Sequence, residues 1–236
     1  MSLLEFPPNA SAESARQLGI YALARKIELA SRRHPGGELP AGLRAAAVLG
    51  LVRYAGIADD AGEAHARRVG ELSHRVARDL GWAEGHAETL RVAAALHDVG
   101  KLGVPAAVLR KPGKLTDDER RVLRMHTWLG YRLFGRAEYP VLRMARVVAL
   151  GHHERWDGSG YPRGLRDLRI PEAARIVAVA DTYDTLVRPR PFRDPIPAPE
   201  ALDRMDRVHA RSFDPDVWAA FLRVREDPPA EVARAG

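Results

Sequence analysis

Cysteine is absent from the 236 residues. Disulfides, thiolate metal sites and cysteine nucleophiles are excluded together, leaving histidine, aspartate and glutamate as the strong metal ligands. Lysine is scarce as well. Lys26, Lys101, Lys111 and Lys114 are the only ones, so arginine carries the formal charge of +6. Those arginines are spread along the chain and form no block, which argues against nucleic acid as a partner. The longest apolar stretch, Ala45 to Val52, is flanked by Arg44 and Arg53. It falls well short of the roughly 20 residues that span a bilayer, so no membrane partner is expected. No basic segment followed by an apolar run opens the chain, so no signal peptide is read, and a cytoplasmic address is expected. Sustained period-two alternation and internal repeats are missing too, which leaves little room for strands or a solenoid.

What is present is helical. With 46% apolar residues the chain can bury a full core. From about Ser11 to Arg33 the residues Ile20, Leu23, Ile27 and Ala30 recur at three- and four-residue steps, one stripe of an amphipathic helix. A second helix is predicted from about Ala41 to Ala55, a third from near Asp59 to Leu80 and a fourth from about Glu84 to Asp98. "LTDDERRVLRMH" opens a fifth, with Thr116 as N-cap and Glu119 at the capping-box position. Further helices are expected near Val141–His153, Pro171–Val187, Pro199–Ala210 and Pro215–Arg225. The fold class is all-α: a multi-helix bundle over 58–236 with an N-terminal helical extension over 1–57.

Three apolar runs end in residues that are expensive to bury unless paired or coordinated. "RVAAAL" leads into His97 and Asp98, "ARVVAL" into Gly151 and then His152 and His153, and "RIVAVA" into Asp181. His65 and His126 sit within otherwise ordinary helices. A single such histidine is ordinarily a satisfied core residue; the series is not. Adjacent helical residues point about 100° apart, so a neighbouring pair can hand one ligand to each of two ions lying side by side. The set supplies enough nitrogen and oxygen ligands for two metals.

The segments "HDVGKLGVP" (97–105), "KPGKLTDDE" (111–119), "MHTWLG" (125–130), "HHERWDGSGYPRGL" (152–165), "RIVAVADTYDTL" (175–186), "RPRPFR" (188–193) and "FDPDVW" (213–218) resemble the HD-GYP group of HD phosphohydrolases. The resemblance runs from about His65 to Leu222. It implies a bacterial phosphodiesterase that hydrolyses cyclic di-GMP to linear pGpG, GMP or both, as part of second-messenger signalling. It also implies a dinuclear site held by His65, His97, Asp98, His126, His152, His153 and Asp181, with Asp98 bridging two divalent ions, iron or manganese for preference. Lys101 matches a lysine that contacts the scissile phosphate, and Arg190 and Arg193 match basic positions that contact substrate. Asp184 is a candidate to orient a ligand from behind, with Arg68 and Glu154 weaker candidates. The Gly160-Tyr161-Pro162 loop is expected to shape the site and to meet a protein partner of the diguanylate cyclase type. A homodimer is a further expectation.

Two departures from the family pattern stand out. A glycine common three residues before "FDP" is Ala210 here, and a glutamate that helps some relatives hold a third metal is replaced by Ala61. Glu63 lies two residues before His65 and so faces elsewhere on the helix, which predicts two metals and not three. The alternatives are an HD phosphohydrolase acting on another nucleotide, cyclic or not, and a non-catalytic scaffold that binds a dinucleotide without turnover.

Overall fold

A computed structural model describes residues 62–135, 139–188 and 194–226. The extension expected over 1–57, Ala61, Arg190 and Arg193 lie outside the described residues. Within them every regular element is helical and none is a strand, as the sequence predicts.

Helix α1 (Gly62–Asp79) buries Ala66, Val69, Ser73 and Val76, three- and four-residue steps along one face. It stops where Gly81 takes φ 87°, a left-handed conformation that suits glycine. There the Gly81 and Trp82 amides donate to Arg78 O and Ala77 O, closing the helix end. Helix α2 (Glu84–Ala94) buries Ala87, Leu90, Ala93 and Ala94. A short 3-10 helix (Val99–Gly103) and the single turn α3 (Ala106–Leu109) follow. Helix α4 (Asp117–Arg124) begins with the predicted capping box: Glu119 N donates to Thr116 Oγ1 at 3.3 Å and Thr116 N to Glu119 Oε2 at 2.7 Å. Helices α5 (His126–Leu133), α6 (Pro140–Gly151), α7 (Glu172–Val187), α8 (Ala198–Ser212) and α9 (Pro215–Glu226) complete the bundle.

The core has two parts. Val69, Leu90, Ile176, Val177, Trp218 and Phe221 join α1, α2, α7 and α9. Leu96, Val99, Leu142 and Ala145 join the segment after α2 to α6. Each aliphatic side chain so buried contributes about 1.5–3 kcal/mol. The core thus fixes α1, α2, α6 and α7, the helices whose ends and inner faces carry the polar residues singled out above.

Three predicted boundaries are corrected. The fourth predicted helix runs only to Ala94, and His97 and Asp98 lie in a turn beyond it. There the chain tightens to three-residue bonds, with Leu96 N donating to Ala93 O and His97 N to Ala94 O, both at 3.1 Å. Likewise α6 ends at Gly151, with His152 as its C-cap and His153 beyond. His126 is the first residue of α5, because the predicted fifth helix breaks at Met125.

Candidate metal centre

His65, on the first turns of α1, donates from Nδ1 to Asp184 Oδ2 of α7 at 2.7 Å. Arg68, one turn along α1, grips the same carboxylate with Nε at 2.6 Å and Nη2 at 2.8 Å. Asp184 therefore orients His65 from behind, as read from the sequence, and Arg68 fixes Asp184. Three other histidines are oriented by main-chain carbonyls. His97 Nδ1 meets Ala94 O at 2.8 Å, His126 Nδ1 meets Leu123 O at 2.7 Å, and His152 Nδ1 meets Val148 O and Ala149 O at 3.0 and 3.1 Å. A carbonyl can only accept, so each Nδ1 carries the hydrogen, which leaves Nε2 of the neutral ring with a bare lone pair.

Those lone pairs converge. His126 Nε2 and His152 Nε2 face one another at 3.4 Å, where neither has a hydrogen to offer. His97 Nε2 lies 3.2 Å from Asp98 Oδ2 and 3.8 Å from Asp181 Oδ1. His65 Nε2 lies 3.3 Å from Asp181 Oδ1. His65 Nε2, His97 Nε2 and Asp98 Oδ1 are buried without a hydrogen-bond partner. Buried acceptors are normally satisfied, so this arrangement needs positive charge among them.

Asp98 stands at the junction. Its Oδ2 faces His97, while Oδ1 lies 3.4 Å from His126 Nε2 and 3.7 Å from His152 Nε2. Two groups could each hold an ion: His65, His97 and Asp98, and Asp98, His126, His152 and His153. Asp98 belongs to both, and Asp181 adjoins the first. Every sequence-predicted ligand is thus brought into one cluster, and the donor set fits divalent cations bound by nitrogen and oxygen.

The electrostatics agree. Burial would raise the Asp98 carboxyl, yet Lys101 and His97 hold it well below the usual carboxylate range. Burial pushes His126 down to about 4 and His153 well below the imidazole range, so both stay neutral. Burial would also lower His65, but the neighbouring Asp181 and Asp184 carboxylates hold it up at about 9. A cation bound at His65 Nε2 would displace the proton that these aspartates favour there.

Lys101 follows from local geometry. In a 3-10 helix side chains three apart eclipse, so Lys101 stands over Asp98 with Nζ 2.6 Å from Oδ2. Gly100 lets this turn lie against α5, because a Cβ there would stand 1.9 Å from His126 O.

The 154–165 loop closes over the far side. Buried Glu154 accepts from the Arg163 amide at 2.8 Å and the Leu165 amide at 2.9 Å. Its task is to hold the loop, which corrects its reading as a ligand-orienting residue. A Cβ on Gly160 would stand 2.3 Å from Arg155 N and 2.5 Å from Glu154 Cα, so only glycine fits the fold-back. Tyr161 N donates to His153 O at 3.1 Å, and the Tyr161 ring stacks on His153 with centroids 4.7 Å apart. Sequence reasoning gave this loop a shaping role but missed that Tyr161 touches a candidate ligand. "FDPDVW" proves to be a helix start: Asp214 caps α9 through the Asp216 and Val217 amides and pairs with Arg175.

Fold and site together define a helical bundle built around a histidine–aspartate cluster that could hold metal ions. Residues 54–217 match the family described as HD domain, and the chain belongs to that family, within its HD-GYP group. A cyclic di-GMP phosphodiesterase of Thermotoga maritima is 43% identical over 163 residues, 69% of this chain and 44% of that protein. A 3′3′-cGAMP-specific phosphodiesterase of Vibrio cholerae is 35% identical over 173 residues, 70% of this chain and 33% of that protein. The chain thus spans less than half the length of these curated relatives. A solved HDG"Y"P protein from Bdellovibrio bacteriovorus shares the fold, with a TM-score of 0.58 at 15% identity over 94% of this chain and 75% of that one.

Proposed function

We propose that the protein is a metal-dependent phosphodiesterase that hydrolyses cyclic di-GMP to pGpG, GMP or both. The observation that carries this reading is Asp98, whose two oxygens face two separate histidine groups while Lys101 stands beside it. Two divalent cations, iron or manganese, would supply Lewis acidity that activates water and offsets phosphate charge. His65, His97 and Asp98, with Asp181 beside them, would hold one ion, and His126, His152, His153 and Asp98 the other. In the hydrolysis water adds to phosphorus, the bond from phosphorus to the 3′ oxygen breaks, and that oxygen takes a proton. Lys101 stabilises a non-bridging oxygen as charge builds in the transition state. Arg190 and Arg193 bind substrate beyond the reacting phosphate.

The 3′3′-cGAMP relative supports a second reading, in which a mixed cyclic dinucleotide is the substrate. Both place the reaction in cytoplasmic second-messenger signalling. No helix of the described residues is long and apolar enough to cross a membrane. The loop from Arg155 to Leu165 offers its outer surface to a protein partner of the diguanylate cyclase type, and a homodimer remains part of the proposal. Protein loaded anaerobically with Fe(II) or Mn(II) should convert cyclic di-GMP to linear products separable by chromatography. Preferential loss of 3′3′-cGAMP from an equimolar mixture would favour the second reading. Binding of both with no product would overturn catalysis in favour of a scaffold.

A further inference from the structure

Arg124 closes α4 two residues before His126 and is exposed. Its neighbours on the same helix are committed, Arg120 to Asp117 and Arg121 to Asp118. Arg124 has no such carboxylate among the described residues. Its guanidinium carbon instead stands 4.8 Å from the centre of the Tyr161 ring. That ring is the one stacked on His153 at 4.7 Å. Since 4.8 Å and 4.7 Å add to 9.5 Å, the guanidinium lies no further than that from the His153 imidazole.

Arg124 is thus seated on an aromatic face instead of a carboxylate. Contact with an aromatic face restrains the planar group yet leaves its N–H edge uncommitted, which lowers the ordering cost of binding an anion. Such an edge matches two phosphate oxygens side by side. A cyclic dinucleotide carries two phosphodiesters in one small ring. If one occupies the Asp98–Lys101 end of the cluster, the other is confined to the mouth of the same site.

We infer that Arg124 binds the second, non-reacting phosphate of a cyclic dinucleotide, with the Tyr161 ring as its platform. The inference rests on the proposed phosphodiesterase reading and names a substrate contact outside the arginines of the 188–193 segment. It concerns the phosphate ring and not the bases, so it holds for cyclic di-GMP and 3′3′-cGAMP alike.

The test compares wild type with Arg124→Gln, both loaded with Mn(II). Substrates are cyclic di-GMP, 3′3′-cGAMP and bis(p-nitrophenyl) phosphate, which has a single phosphate. KM for both dinucleotides should rise about tenfold, roughly the effect of one charge-assisted contact. The loss on the single diester should be several-fold smaller, and metal content per chain should match wild type. Unchanged KM and Kd for the dinucleotides would overturn the inference. So would an equal loss on all three substrates, which would show Arg124 acting on His153 through Tyr161, or a loss restricted to one dinucleotide, which would indicate a base contact. Kd from titration calorimetry separates the two levels of proposal. If wild type binds the dinucleotides without cleaving them, the catalytic reading fails and Arg124 is judged on Kd. If it binds neither, both fail.

Discussion

Replacing Gly100 by alanine probes how closely the cluster depends on backbone packing. Gly100 lies between Asp98 and Lys101, and a Cβ there would meet His126 O at 1.9 Å and Gly130 N at 2.4 Å. Both are main-chain atoms of α5, so no side chain can swing aside. Relief to 3.0 Å, the shortest approach real Cβ atoms make, needs the two segments to part by the difference from 1.9 Å, about 1.1 Å. That is about a third of the 3.4 Å between Asp98 Oδ1 and His126 Nε2. Overpacking of this kind typically costs about 1–3 kcal/mol, and a misplacement near 1 Å in a reacting site can cost about a hundredfold in rate. Gly100→Ala should therefore lower the urea midpoint, reduce bound metal and lose most hydrolysis. Gly85→Ala is the control: Gly85 is an exposed α2 residue with nothing within 4 Å of a built Cβ. It should be neutral or stabilising by up to about 1 kcal/mol. A Gly100→Ala protein with wild-type midpoint and metal content would refute the reasoning.

Two further predictions concern single side chains. Lys101→Ala should retain metal and lose about 2–4 kcal/mol of transition-state stabilisation, read as kcat/KM, and Lys101→Arg should recover only part of it; wild-type kinetics in both would remove Lys101 from the reaction. Asp157 accepts from Ser159 Oγ at 2.6 Å and Ser159 N at 2.9 Å, and these bonds push its carboxyl down to about 2. A depressed folded-state value gives stability that is whole above the ordinary carboxylate range and lost as pH falls through about 2. The urea midpoint of Asp157→Asn should thus trail wild type at pH 7 by more than at pH 3, and a gap independent of pH would contradict the assignment.

The helices were legible because their signals are local: the Thr116–Glu119 box, the four- and three-residue steps of His65, Val69 and Leu72, and Gly81 at a helix end. His97, Asp98, His152, His153 and Asp181 were legible because they follow apolar runs that could only be buried, whereas His65 and His126 lie in ordinary helical sequence and were assigned as ligands through the family resemblance. The turn holding His97 and Asp98 was not, since "RVAAALHD" reads as continuous helix by propensity and its tightening depends on packing against α5. Glu154 was misread for a similar reason. A carboxylate next to two histidines suggests a ligand partner, and only the fold-back of the chain shows it bonded to the Arg163 and Leu165 amides. The contact of Tyr161 with His153, and of Arg124 with Tyr161, joins positions up to 37 residues apart along the sequence. No periodicity announces such pairs.

The central claim is a single cluster that Asp98 divides between two ions. Elemental analysis of anaerobically loaded, desalted protein measures this directly, with Asp98→Ala alongside and helical content checked by circular dichroism. Two metals per chain are predicted for wild type, and fewer than one for Asp98→Ala with its helical spectrum intact. Three metals in wild type, or two retained without Asp98, would contradict the bridged dinuclear site.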